Sequence, residues 1–227
     1  MTKTEYQTQY SITDNRSWRP YRAIGKRCLD LLVCIQLVLL ASPLFLITAC
    51  LIKFDSKGSI LFVQERLGRF GSTFRTLKFR TMTDRPRVAD GEVLPGNTEV
   101  TRVGHWLRRF KIDELPQLLN ILRGDMSLIG PRPALPGHIS EYNEDGLQRL
   151  LERPGLTGLA QISGNIYLSW PDRWILDARY VQTVSLATDI RIALKTVVVV
   201  FVGEEKFVQP VIKFPQPSER EEHRDAA

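Results

Sequence analysis

The sequence predicts an α+β protein, mainly helical and membrane-associated, with a broken re-entrant helix near its N-terminus. Three observations predict it. Between Asp30 and Lys53 lie 22 uncharged residues, LLVCIQLVLLASPLFLITACLI, with Pro43 near the centre. From Asp113 an acid pair opens a helical segment whose Leu115, Leu118, Leu119 and Leu122 fall on one face. Between these, ILFVQERLG and STFRTLKFRTM read as two strands or short extended segments, basic on their polar faces.

The apolar run is long enough to cross a bilayer as a helix. Its flanks are both basic: Arg19, Arg22, Lys26 and Arg27 precede it, and Lys53, Lys57, Arg66 and Arg69 follow. Basic residues favour the cytoplasmic side, so a straight span puts one cluster on the wrong side. A break at Ser42-Pro43 resolves the conflict, because proline removes a ladder hydrogen bond. Each arm of about eleven residues rises roughly 16 Å, about half of a ~30 Å hydrocarbon core, and the chain leaves by the leaflet it entered. The carbonyl freed by Pro43 needs a partner at that depth, and the Ser42 hydroxyl is the nearest candidate. The alternative is a kinked helix that spans. Two decoys overlap the run: a signal peptide, against which the long polar leader counts, and Ile47-Thr48-Ala49-Cys50, which resembles a lipoprotein processing box.

The remaining elements follow in order. Residues 1–18 are polar and read as a loosely ordered N-terminus, 19–57 as the membrane helix, 58–207 as a cytoplasmic catalytic domain and 208–227 as a polar tail. Residues 83–100 hold Pro, Gly, Asp and Asn and read as a loop. TRVGHWLRRF reads as a short helix carrying Arg108 and Arg109. The leucine helix runs to a stop at Gly124, with Pro116 tolerated in its first turn. His138 to Glu152 reads as a helix ending before Pro154-Gly155, and Trp170 to Val184 as another with Pro171 in its first turn. Asp189 to Val202 is apolar-rich; with Trp170 and Trp174 it suits either a surface amphipathic helix on the membrane or the core.

A formal charge of +6 and a pI near 9.4 point toward anionic partners: nucleic acid, anionic lipid or phosphorylated substrates. Cys28, Cys34 and Cys50 form no C-x-x-C pair, so packing in a reducing compartment is the reading. His105, His138 and His223 fit no zinc spacing, and GRFGSTFR lacks the Lys-Ser/Thr ending of a phosphate loop. Chemistry concentrates between Lys111 and Pro133. There Asp113 and Glu114 stand at a helix start with Arg108, Arg109, Lys111 and Arg132 nearby, the residue types that phosphate or metal-phosphate chemistry requires. Asp-Glu before leucines is also an ordinary helix cap, although Pro116 at the third helical position has no N–H to offer Asp113.

Longer strings carry a resemblance. Lys26-Arg27 with Asp30, the mid-helix Ser42-Pro43, FVQERLG (62–68), LKFRTM (77–82), DELPQL (113–118), GDMSLIGPRP (124–133) and RPGLTG (153–158) together resemble the bacterial sugar transferase family. These are small polyprenyl-phosphate phosphoglycosyl transferases, monotopic in the membrane. The resemblance implies transfer of a sugar-1-phosphate from a UDP-sugar to undecaprenyl phosphate, with UMP released and a lipid-linked bacterial glycan, such as an exopolysaccharide, begun. It implies that Asp113 is the nucleophile and forms a covalent phospho-sugar aspartate, that Glu114 completes a catalytic dyad, and that Mg²⁺ binds at Asp113. Arg108 and Arg132 are implied as phosphate- and nucleotide-binding, with Lys78, Arg80, Arg153 and Gln161 as further substrate-binding positions; Lys26, Arg27, Ser42 and Pro43 belong to the membrane anchor. The implied location is the cytoplasmic face of the bacterial inner membrane, without nucleic acid, and a homodimer is compatible with it. The competing function is a membrane-bound UDP-sugar or lipid-binding module without catalysis.

This sequence departs from the family pattern in its C-terminal half. Leu159 stands where tryptophan is frequent, Ser163-Gly164-Asn165 replaces an Asn-Gly-Arg-Asn string, and Thr183 replaces a frequent asparagine. These departures bear on which sugar is recognised. The dyad and anchor strings are intact.

Overall fold

A computed structural model describes residues 5, 6, 9, 20–83, 99–208, 210 and 211. Most of the segments read as an N-terminal extension, as the 83–100 loop and as the polar tail fall outside the described residues. A π-helical turn, Tyr21–Gly25, leads into the long helix α1, Lys26–Asp55. Pro43 lies inside α1 without ending it. Proline at 43 leaves the carbonyl four residues back, that of Leu39, without its helical donor. The Ser42 hydroxyl donates to that carbonyl at 2.8 Å, as the sequence predicts.

Strands β1, Leu61–Leu67, and β2, Thr73–Phe79, form an antiparallel hairpin in full register from Leu61↔Phe79 to Leu67↔Thr73. Met82 and Val100 form an isolated antiparallel bridge. Helix α2, Arg102–Arg109, starts where the Thr101 side chain accepts from Gly104 N, a standard N-cap.

The acid pair and the leucine helix are two elements rather than one. Ile112–Glu114 form a 3₁₀ turn, and α3 spans only Gln117–Arg123 with Pro116 as its N-cap. Proline cannot donate to the carbonyl of Ile112, and its ring crowds that position, so the helix begins after it. Gly124, at φ 96°, ends α3 as predicted. Strand β3, Ser127–Ile129, pairs in parallel with β4, Gly155–Thr157. This pairing is tight: a Cβ on Gly155 would run into the backbone of Gly130.

The predicted helix from His138 to Glu152 is also divided. It becomes a 3₁₀ turn, Pro136–Glu141, helix α4, Glu144–Gln148, and a second 3₁₀ turn, Arg149–Leu151. Tyr142 is extended, and the Asn143 side chain accepts from Gly146 N at 2.9 Å, which starts a new helix mid-segment. Helix α5, Trp170–Thr183, is capped by Ser169; α6, Leu186–Val202, is capped by Ser185 and starts three residues before the apolar-rich stretch read from Asp189.

Among the described residues the buried apolar side chains form four clusters, two of which join these elements. Leu118, Ile121 and Met126 pack on Cys34 of α1. Ile129, Leu150, Leu151, Tyr180, Val181 and Ile192 join β3, α5 and α6. Trp174 belongs to the interior, edge-on to Tyr142, and Trp170 packs against His138 and the Arg173 guanidinium, so the core reading holds for Trp174. On α6 the residues divide: Ile192 and Val199 are buried, while Leu194, Val197, Val198 and Phe201 are exposed. The middle of α1 is equally uncovered, with Leu39, Leu40 and Leu46 about two-thirds or more exposed.

Candidate active site

Lys111 enters the acid turn in the left-handed region, at φ 57°. A non-glycine residue there costs on the order of 1 kcal/mol, so surrounding contacts hold it. The turn delivers Asp113 and Glu114 inward, 9% and 8% exposed. Their neighbours are unequal. Glu114 Oε1 receives Lys78 Nζ at 2.7 Å, from β2, and Arg132 Nη2 at 2.8 Å, from the Pro-Arg-Pro turn after β3. Asp113 Oδ1 is buried without a hydrogen-bond partner.

The two carboxyls separate accordingly. Burial alone would raise Glu114, but the Arg132 guanidinium and the Lys78 ammonium hold it well below the usual carboxylate range. Burial, and then the charge of Glu114, push Asp113 up to about 6, against the pull of Lys78, Arg108 and Lys111. Burial lowers Lys78, and Glu114 opposes that shift. The site therefore offers one carboxylate already paired and one held ready beside four cations.

Arg108, near the end of α2, acts on Asp113 through its charge while its Nε donates to Thr81 Oγ1 at 2.9 Å. Arg132 is fixed from behind, where its carbonyl accepts from Arg149 Nη2 at 2.6 Å. Arg149 is in turn ion-paired to Asp177 of α5 at 2.8 Å, and both side chains are almost fully buried. Burial pushes the Asp177 carboxyl up to about 6 despite Arg149. Sequence reading did not find Arg149 as a supporting residue. Its partner lies 28 positions away on another helix, and no local spacing links the two.

The other predicted positions lie elsewhere. Arg80 is 7% exposed and spends its guanidinium on the end of α1: Lys57 O at 2.6 Å, Ser56 O at 2.7 Å and Ser56 Oγ at 2.9 Å. Arg153 Nε donates to Gly124 O at 2.9 Å, behind α3. Gln161 is buried in a 3₁₀ turn, Gln161–Ser163, with both amide atoms unpaired, so it keeps a donor and an acceptor to offer. Lys26 and Arg27 point inward: Lys26 Nζ meets Asp189 at 2.7 Å, and Arg27 donates to the last carbonyls of α3, Ile121 O at 2.6 Å and Leu122 O at 3.1 Å.

No group of three His, Cys, Asp or Glu side chains is gathered for a metal among the described residues. The unpaired Oδ1 of Asp113 nevertheless suits Mg²⁺, which commonly takes one or two protein carboxylates and completes its shell with water and substrate phosphate oxygens.

Residues 21–203, which include the whole of this site, match the family model described as bacterial sugar transferase. The chain belongs to that family. Relatives agree. The exopolysaccharide production protein ExoY of Rhizobium meliloti is 40% identical over 195 residues, covering 79% of this chain and 86% of that protein. The sugar transferase EpsL of Bacillus subtilis is 41% identical over 181 residues, covering 80% and 89%. The UDP-glucose:undecaprenyl-phosphate glucose-1-phosphate transferase of Caulobacter vibrioides is 45% identical over 185 residues, covering 77% and 68%. As a bacterial sugar transferase the chain is an enzyme of the phosphoglycosyl transferase class, and α1 is long and apolar enough to cross a membrane.

Proposed function

We propose that this sugar transferase moves a sugar-1-phosphate from a UDP-sugar to undecaprenyl phosphate at the cytoplasmic face of the bacterial inner membrane, by way of Asp113. The observation that carries the reading is the buried, unpaired Asp113 oxygen among cations, beside a Glu114 already neutralised by Lys78 and Arg132. In the first step an Asp113 oxygen attacks the sugar-bearing phosphorus of the donor. The bond from that phosphorus to the bridging oxygen breaks, and UMP leaves with the electron pair. In the second step an oxygen of undecaprenyl phosphate attacks the same phosphorus and Asp113 returns as the carboxylate. Splitting the transfer into two displacements is the usual gain of a carboxylate nucleophile.

The chain's own residues supply the field. Arg108 and Lys111 offset charge gathering beside Asp113, and Arg132, held flat by Arg149 and Glu114, presents a fork suited to phosphate oxygens. Mg²⁺ bound at Asp113 Oδ1 would reduce repulsion between the carboxylate and the donor phosphates.

A re-entrant α1 is supported by its contacts. Asp30, near one end, accepts from Ser127 Oγ at 2.8 Å and Leu128 N at 3.1 Å; Asp55, at the other, accepts from Val103 N at 3.1 Å. Both ends are thus tied to the domain that carries Asp113, while apolar side chains along the helix between those ties, among them Leu32, Leu39, Leu40 and Leu46, are left exposed. A helix crossing the bilayer would carry its ends to opposite sides. The anchor holds the nucleophile at the depth where a polyprenyl phosphate presents its headgroup.

Asp113→Asn in detergent with undecaprenyl phosphate and a panel of UDP-hexoses and N-acetylated UDP-sugars should release no UMP, while the native chain releases it from at least one donor. Full activity in the variant overturns the nucleophile assignment. For topology, cysteines introduced singly at Thr2 and Glu219 in a cysteine-free background should both resist periplasmic thiol labelling. Labelling of one alone would establish a spanning helix.

A further inference from the structure

Three non-glycine residues among those described have positive φ: Phe70, Lys111 and Asn165. Two of the three are bonded to the same carboxylate. Glu204 Oε1 meets Lys111 Nζ at 2.6 Å, and Glu204 Oε2 accepts from Asn165 Nδ2 at 3.0 Å. Its side chain is only 12% exposed. Lys111 stands two residues before Asp113, and Asn165 at φ 45° opens the 3₁₀ turn Asn165–Tyr167, which follows the turn holding the unpaired Gln161 amide.

We propose that Glu204 is a positioning residue that fixes the nucleophile turn by tying Lys111 to Asn165 across the site. The proposal rests on the reading of Asp113 as nucleophile. A left-handed lysine returns to ordinary backbone unless something holds it, and that change would turn the Ile112–Glu114 segment away from its place. Neighbouring contacts make the same connection. Arg109 donates to Val200 O and Phe201 O, both at 3.0 Å, so the end of α6 grips the chain two residues before Lys111. Gly203, at φ 109°, then turns the chain so that Glu204 reaches back. Glu204 also faces Arg132 closely enough to add, after Glu114, to the field that keeps that guanidinium charged.

Glu204 stands just past the stretch that matches the family model, 21–203, on the segment that follows α6. The latch involves one departure noted in the sequence: the Ser163-Gly164-Asn165 string provides Asn165, the second partner of the carboxylate. The nucleophile turn and the turn that bears the Gln161 amide are thereby held at a fixed separation.

The test uses the full chain in nanodiscs with Mg²⁺, undecaprenyl phosphate and whichever UDP-sugar of the panel is turned over fastest. Glu204→Gln keeps an acceptor for Asn165 but loses the ion pair. It should lower kcat for UMP release by about ten- to a hundredfold, the scale expected from a misplaced reacting group, with KM for the donor within about twofold. Amide hydrogen exchange should accelerate in peptides covering residues 109–116 and 163–168. In a Lys111→Met background the same change should add little, because the two residues act through one contact. Unchanged kcat with unchanged exchange, or fully additive losses in the double variant, overturns the proposal. The exchange measurement needs no turnover: if the native chain releases no UMP, the nucleophile reading fails while faster exchange in Glu204→Gln still identifies the latch.

Discussion

Replacing Asp113 with asparagine should abolish activity and make the ligand-free protein more stable at pH 8. Asp113 is 9% exposed, one of its oxygens has no partner, and Glu114 is its chain neighbour. Burial first and the Glu114 charge second carry its carboxyl from 3.8 to about 6. A difference of about two units corresponds to on the order of 3 kcal/mol. The folded state holds the proton more tightly than the unfolded chain, so stability from this group is fully present below pH 3.8 and lost as pH rises through about 6. At pH 8 the whole penalty is in place, and asparagine, which does not ionise, removes it. Thermal unfolding without substrate should therefore give a midpoint higher by roughly 6–12 °C for the variant at pH 8, at about 2–4 °C per kcal/mol for a chain of this size. At pH 5 roughly half of the gain should remain, because the unfolded carboxyl is then largely ionised and the folded one is not. Added Mg²⁺ with UDP should stabilise the native chain more than the variant. A variant no more stable than the native protein at pH 8, or one whose advantage grows on acidification, would refute the picture of a carboxylate held at a cost.

Three further outcomes follow from the same contacts. Arg108→Gln removes one of the cations that pull Asp113 down, so the acid limb of the UMP-release profile should move to higher pH; a shift the other way would exclude Arg108 from the field at Asp113. Arg80→Gln should lower the unfolding midpoint by the equivalent of about 1–3 kcal/mol, since it strips donors from Ser56 and Lys57, and should leave KM for the donor unchanged; a rise in KM without loss of stability would return Arg80 to substrate binding. Ser42→Ala leaves the Leu39 carbonyl without its donor and should cost about 1 kcal/mol of stability, read by thermal unfolding in detergent, with kcat little changed.

Local chemistry made much of the fold legible. The hairpin, α2, α5 and the stop at Gly124 are written in alternation, caps and glycine, each decided within a few residues. The serine hydroxyl that compensates Pro43 was legible because the freed carbonyl and its donor lie in one turn. The segments that differ were decided by competition. Asn143 offers a new cap inside an otherwise helical stretch, and Pro116 sets a boundary that the leucine periodicity conceals. Long-range pairs were not legible at all. Arg80 follows a basic strand and reads as a phosphate contact, yet it closes the end of the anchor. Arg149, Asp177 and Glu204 meet their partners only after β3, β4, α5 and α6 have assembled.

The division of labour between the two acids is the clearest case of tertiary structure deciding chemistry. Asp113 and Glu114 are adjacent, similar in pKa when free, and almost equally buried. What separates them is which way each side chain leaves the 3₁₀ turn. Glu114 meets Lys78 from β2 and Arg132 from the turn after β3, so its charge is fully compensated and its carboxyl stays ionised. Asp113 receives the field of the cations without a bonded partner at Oδ1, and burial first, then its neighbour's negative charge, push its carboxyl up to about 6. If Lys78 and Arg132 together hold Glu114, removing either alone should leave the other bonded to it, whereas removing both would leave two uncompensated carboxylates side by side. The loss in Lys78→Met/Arg132→Met should then exceed the sum of the single losses, as it does when two residues share one partner. Simple additivity would mean that each cation acts on a bound phosphate, and that the pairing with Glu114 is incidental.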